Sequence, residues 1–182
     1  MRNSIVSTGT LIATAALTVA AAAFGIGSAT AQPDDYTVLL IDPNAVTDST
    51  AYTAGAPVFN PNNQPGVEAV YTHRDGSRQI TETVWVLQDA AAATAALNAA
   101  QADAAGQVAN ETTQPVQVGT GGTLLSGTSA DGSKSISVLL FTQGKTASAI
   151  EFAGPPTDPA PAELVTEIGQ KQDAVIQSAL GA

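Results

Sequence analysis

Hydrophobic and polar positions alternate most cleanly over residues 67 to 87, VEAVYTHRDGSRQITETVWVL. Val67, Ala69 and Tyr71 share one side of the first run. In the second run Ile80, Glu82, Val84 and Val86 alternate against Thr81, Thr83, Trp85 and Leu87. A period of two, rich in β-branched and aromatic residues, predicts strands, and Asp75-Gly76 between the runs predicts the turn of a hairpin. At Asp89 the pattern changes to DAAAATAALNAAQADAAGQV. Alanine favours helix, Asp89 is suited to the N-cap and Gly106 to the end. Leu97 is the one large apolar side chain here, on a stripe with Ala90, Ala93, Ala100 and Ala104. A surface that smooth lets a helix lie close against a sheet.

Strand-like runs return after residue 115, punctuated by Gly119 to Gly122, Asp131-Gly132 and Gly144. ISVLLF (136–141) is apolar on both sides and predicts a central strand. TASAIEF (146–152) alternates and predicts one wet face. Beyond the proline-rich GPPTDPAP, residues 162 to 179 place Leu164, Ile168, Val175 and Ala179 on one helical stripe, with Val165, Ile176 and Leu180 beside it. The predicted architecture is α+β: a twisted antiparallel sheet with two packed helices, in the order β-β-α-β-β-β-α over residues 67–182. Residues 32–66 precede it. Within them YTVLLID reads as a strand or a helical turn, and the Pro- and Asn-rich stretch from Asp42 to Gly66 reads as a long loop.

The N-terminus carries Arg2, an apolar stretch from Leu11 to Gly27 and the small-residue site Ala29-x-Ala31. This pattern predicts a signal peptide, residues 1–31, cleaved after Ala31, and a secreted or extracytoplasmic protein without a stable membrane anchor. An uncleaved anchor is the alternative. With no cysteine, neither a disulfide nor a thiol-linked lipid is open to this chain. Six basic against sixteen acidic residues, a formal charge of −10, disfavour nucleic acid and anionic lipid, whose phosphates need clustered cations.

Chemistry-bearing residues concentrate in THRDGSRQI, residues 72–80. His73, Asp75 and Ser77 are triad residue types, but a triad needs an imidazole bridging serine and acid drawn from converging segments. Three residues spaced by two across a tight turn predict a solvated tip, flanked by Arg74 and Arg78. The sequence DGSRQI at 75–80 has a counterpart in DGSKSI at 131–136, and both predict hairpin tips. GKT at 144–146 lacks the upstream glycine and the following helix of a phosphate loop, and GTGG at 119–122 lacks that helix too. Asp42, Asn44 and Asp48 miss the spacing of a calcium loop, and one histidine without cysteine does not make a zinc site. No metal or cofactor is therefore expected. Among the acids, Glu82 and Glu151 lie inside strands and are expected on the wet face.

VWVLQDAAAATAALNAAQADAAGQVAN resembles the strand and alanine-rich helix of the extracellular PknH-type sensor domains of actinobacteria. VLLFTQGKTASAIEFAGPPTDPAPAELVTEIGQKQDAVI is similar to their closing hairpin and C-terminal helix. The secreted LpqN-like proteins, with a Mog1/PsbP-like fold, share the layout. The resemblance covers residues 67 to 180 and implies a fold and a cell-envelope compartment. The paired cysteines of those sensors are absent, and no binding residue carries over. The function expected is a non-catalytic binding or sensor-like module, whose partner is a small apolar or amphipathic molecule or an envelope protein. Tyr71, Trp85, Leu97, Phe141 and Phe152 are the candidates for lining a pocket between helix and sheet. Val58, Phe59, Arg74 and Arg78 are the candidates for surface contact. A contact protein without a pocket is the first alternative, and a carboxylate-dependent hydrolase the second.

Overall fold

The structure, a computed structural model, describes residues 35–47 and 50–180. The predicted signal peptide and its cleavage site lie outside the described residues. The strands are β1 (Tyr52–Ala54), β2 (Val58–Phe59), β3 (Gly66–His73), β4 (Gln79–Val86), β5 (Val108–Pro115), β6 (Thr120–Ser129), β7 (Ser135–Gln143) and β8 (Thr146–Gly154). The helices are α1 (Ala90–Gln107) and α2 (Ala162–Leu180). The α+β class is as expected from the sequence. All pairings are antiparallel, in the order β1-β3-β4-β8-β7-β6-β5, with β2 also paired to β3.

The element order differs from the expected one in two places. Four strands follow α1 instead of three, because Val108–Pro115, with its polar Asn110 to Gln114, forms the edge strand β5. Its backbone pairs with β6, while residues 110–115 are exposed and carry no apolar period to read. The stretch expected to be a loop contributes β1 and β2, both paired to β3. Ahead of them, Asp35 and Asp42 cap short 3-10 turns at Tyr36–Leu39 and Pro43–Ala45, accepting bonds from the Thr37 and Asn44 amides.

Helix α1 starts where predicted: the Asp89 carboxylate accepts from the Ala92 amide at 2.8 Å. Ala93, Leu97, Ala100 and Ala104 are its buried stripe, while Ala90 is exposed. Leu97, Ala100 and Ala104 cluster with Trp85, Leu125, Val138, Leu140, Ala147 and Ala149. The α2 residues Val165, Ile168 and Ile176 cluster with Ile80, Val84, Leu124, Leu139, Phe141, Ile150 and Phe152. Neighbouring residues on one strand thus fall into different clusters, and strand side chains alternate between faces. The two helices therefore cover opposite faces of the sheet. This also explains β8: its alternation separates small Ala147 and Ala149 under α1 from Ile150 and Phe152 under α2, and neither face is wet. The deepest stripe of α2 is Val165, Ile168, Gly169, Gln172 and Ile176. Leu164 and Val175 sit at its margin and Ala179 is exposed. Gly169 lets α2 approach β7 so closely that a Cβ there would stand 2.2 Å from Leu139 Cδ2.

Candidate functional site

The β3–β4 tip is organised by a carboxylate. Asp75 Oδ1 accepts from the Ser77 amide at 2.8 Å and the Ser77 hydroxyl at 2.7 Å, and lies 2.7 Å from His73 Nδ1. The serine bonds, then the histidine, hold the Asp75 carboxyl well below its ordinary range. In a triad the imidazole joins serine to acid; here the acid joins serine to imidazole, so the hydroxyl has no base. The β6–β7 tip repeats the arrangement. Asp131 Oδ1 accepts from the Ser133 amide at 3.0 Å, its hydroxyl at 2.8 Å and the Ser129 hydroxyl at 2.6 Å. Those bonds lower its carboxyl to about 2. Gly76 and Gly132 occupy φ of 72° and 69°, the left-handed region that glycine enters without penalty. Both tips are Asp-Gly turns closed on their own serines. Arg74 Nη1 donates to Thr50 Oγ1 at 3.2 Å, and Arg78 pairs with Asp158 in the proline-rich loop after β8.

The five interior candidates do not converge. Trp85 and Leu97 meet on the α1 face, whereas Tyr71, Phe141 and Phe152 lie on the α2 face with the sheet between them. A pocket under the alanine-rich α1 would be lined by the first pair alone. All five are buried among other core side chains. Val58 and Phe59, by contrast, are 52% and 50% exposed on β2. Val58 pairs with Glu68 and Phe59 with Val67, so the two side chains lie on opposite sides of the sheet edge.

Glu82 departs furthest from expectation, because it is not on a wet face. Its exposure is 0%, among the Ile80, Val84 and Ile150 side of the sheet. Oε2 accepts from the Ile41 amide at 3.2 Å and Oε1 has no partner. Burial, only partly offset by that bond, pushes its carboxyl up to about 8, and Asp42 adds to the rise. Above it, the Tyr71 hydroxyl donates to the Ile41 carbonyl at 2.7 Å, and Gln172 Nε2 donates to the Leu39 carbonyl. The sequence signal was the alternation itself, which groups Glu82 with Ile80, Val84 and Val86. Glu151 is on the α1 side, one position from Ile150, and is partly buried. Desolvation raises it to about 7 against the pull of Lys134, with Glu68 adding to the rise. Glu82 and Glu151 face opposite sides and cannot flank one substrate, as paired carboxylates in a glycosidase must.

Among the described residues no group of three or more His, Cys, Asp or Glu side chains is placed to hold a metal ion. Asn44 uses both ends of its amide on the Tyr52 backbone, at 2.9 and 2.8 Å. Within the same residues no helix is long and apolar enough to cross a membrane.

No protein-family model matches this chain, and no curated protein does. Among solved structures, the fold is similar to the extracellular domain of PknH from Mycobacterium tuberculosis. The TM-score is 0.61 at 11% identity, covering 84% of this chain and 100% of that one. The expected likeness to a PknH-type extracellular domain therefore holds at the level of the fold.

Proposed function

We propose that this protein is a non-catalytic, extracytoplasmic sensor-like module that binds an envelope protein along the edge of its sheet. The observation that carries the reading is the pair Val58 and Phe59, half exposed on a two-residue edge strand. A strand paired on one side offers free backbone groups to an added strand, and apolar side chains on both faces can grip it. The interior candidates, in contrast, are buried among other core side chains. The fold likeness to an extracellular domain and the signal-peptide pattern support the compartment. Arg74 and Arg78 tie the neighbouring tip to residues 50 and 158.

Native mass spectrometry of the protein purified from its own host tests this. A polypeptide-sized increment that disappears in the Val58→Ser/Phe59→Ser variant supports edge binding. A lipid-sized adduct retained by that variant would overturn it in favour of an interior site.

A further inference from the structure

We propose that residues 35–47 form a strap latched over Glu82, and that the strap lifts from the α2 face of the sheet when this carboxyl gives up its proton. Leu39 and Ile41 anchor the strap, at 1% and 8% exposure, in the cluster containing Val67, Ala69, Tyr71, Ile80, Ile168 and Ile176. Its polar backbone atoms at these positions are held by side chains. Glu82 takes the Ile41 amide, Tyr71 gives to the Ile41 carbonyl, and Gln172 gives to the Leu39 carbonyl. Three different elements, β4, β3 and α2, thus clamp two strap residues, Leu39 and Ile41.

One of those clamps is conditional. The groups around Glu82 are Asp42 on the strap, Ala69 and the Tyr71 phenol on β3, and Ile150 on β8, while Gln172 of α2 holds the strap itself at Leu39. None of them is a cation. A buried carboxylate with one amide for company and no counter-charge is costly, whereas the neutral acid is tolerated. The unpartnered Glu82 Oε1 and Gln172 Oε1 add to the strain of the closed arrangement and gain water when the strap lifts. The phenol cannot substitute as the ionising group, since burial and Glu82 hold Tyr71 well above its ordinary value.

The sign follows from linkage. The latched state holds the Glu82 proton up to about pH 8, and a solvated glutamic acid releases it at its ordinary 4.5. The latch is therefore complete below pH 4.5 and weakens through the window to pH 8, by up to about tenfold per pH unit. Beyond that it stays weak. Release would uncover the apolar seats of Leu39 and Ile41 beside Tyr71 and Ile80.

The absence of native cysteine makes a direct test available. Spin labels at Val38→Cys, which is 63% exposed, and Ser178→Cys on the exposed side of α2 report the strap-to-helix distance. A narrow distance distribution at pH 5 that gains a long component at pH 9, and stays narrow at both pH values in Glu82→Gln, supports the latch. An unchanged wild-type distribution, or equal broadening in Glu82→Gln, overturns it. Carboxyl-carbon NMR of the glutamates adds a reading that needs no Glu82 variant. Two midpoints well above 4.5 are expected, from Glu82 and Glu151; the higher, that of Glu82, should fall toward the ordinary value when Leu39→Ala loosens the strap, and a set of midpoints that Leu39→Ala leaves in place overturns the proposal.

Discussion

The two faces of the sheet solve the same problem by opposite means. On the α1 face, alanines at 93, 100 and 104 set the helix against Trp85, Leu140, Ala147 and Ala149, so its own side of the layer is made of small side chains. On the α2 face, the larger Phe141, Ile150, Phe152, Ile168 and Ile176 fill a layer that also contains Glu82, Gln172 and Ser148, the last three with 0% exposure. Each layer also encloses an acid whose state depends on pH: Glu151 on the α1 side is partly buried, and Glu82 on the α2 side wholly so. Desolvation is the greater for Glu82, so protonation weighs more heavily on the α2 face, where it is joined to the fit of large side chains.

The comparison can be broken at several points. Phe141→Ala should be the most damaging, costing about 3–5 kcal/mol in denaturant unfolding, because removing a large, fully buried side chain on the α2 face leaves a cavity. A loss near 1 kcal/mol would show that the layer collapses easily. Glu82→Gln comes next, read as a difference in pH dependence. A raised acid stabilises the folded state fully below its unfolded value of 4.5, and that contribution is lost as pH rises through about 8. Wild type should therefore lose on the order of 2–4 kcal/mol relative to Glu82→Gln between pH 5 and 8. Glu151, raised to about 7, acts in the same direction in both proteins and drops out of the difference. Parallel pH profiles would mean that the buried acid does not titrate there.

A third point is the α1 face. Ala100→Leu should cost about 1–3 kcal/mol by overpacking, since Ala100 is fully buried between helix and sheet. Chemical denaturation showing no loss would reveal space under α1 and reopen a pocket around Trp85 and Leu97. The smallest effect belongs to neither face. Replacing Arg74 and Arg78 by serine should change stability by no more than about 0.5 kcal/mol each, as expected for exposed contacts. A larger drop in melting temperature would mean that the tip anchors residues 50–51 and 158 more firmly than exposed contacts do.

Legibility followed the range of the interactions. The β3–β4 hairpin, the matching Asp-Gly tips, the Asp89 cap and the course of both helices were all readable, because turn, cap and period are decided within a few residues. Strand β5 was missed because Asn110 to Gln114 has no apolar period and exists as a strand through its pairing with β6. Strands β1 and β2 were hidden in the same way by their dependence on β3. The five residues expected to line a pocket are buried on strands and a helix, but their division between two faces required knowing where α2 comes to rest.

Taken alone, the sequence determined the α+β class, the hairpin tips and the acidic, cysteine-free character, since each rests on local backbone preference or on composition. Tertiary structure decided the rest. It placed the helices on opposite faces, left Val58 and Phe59 at an open edge, and closed residues 35–47 over Glu82. The physical reason is desolvation: a carboxyl in a strand has its ordinary acidity until another segment of chain, here some forty residues away in sequence, removes it from water.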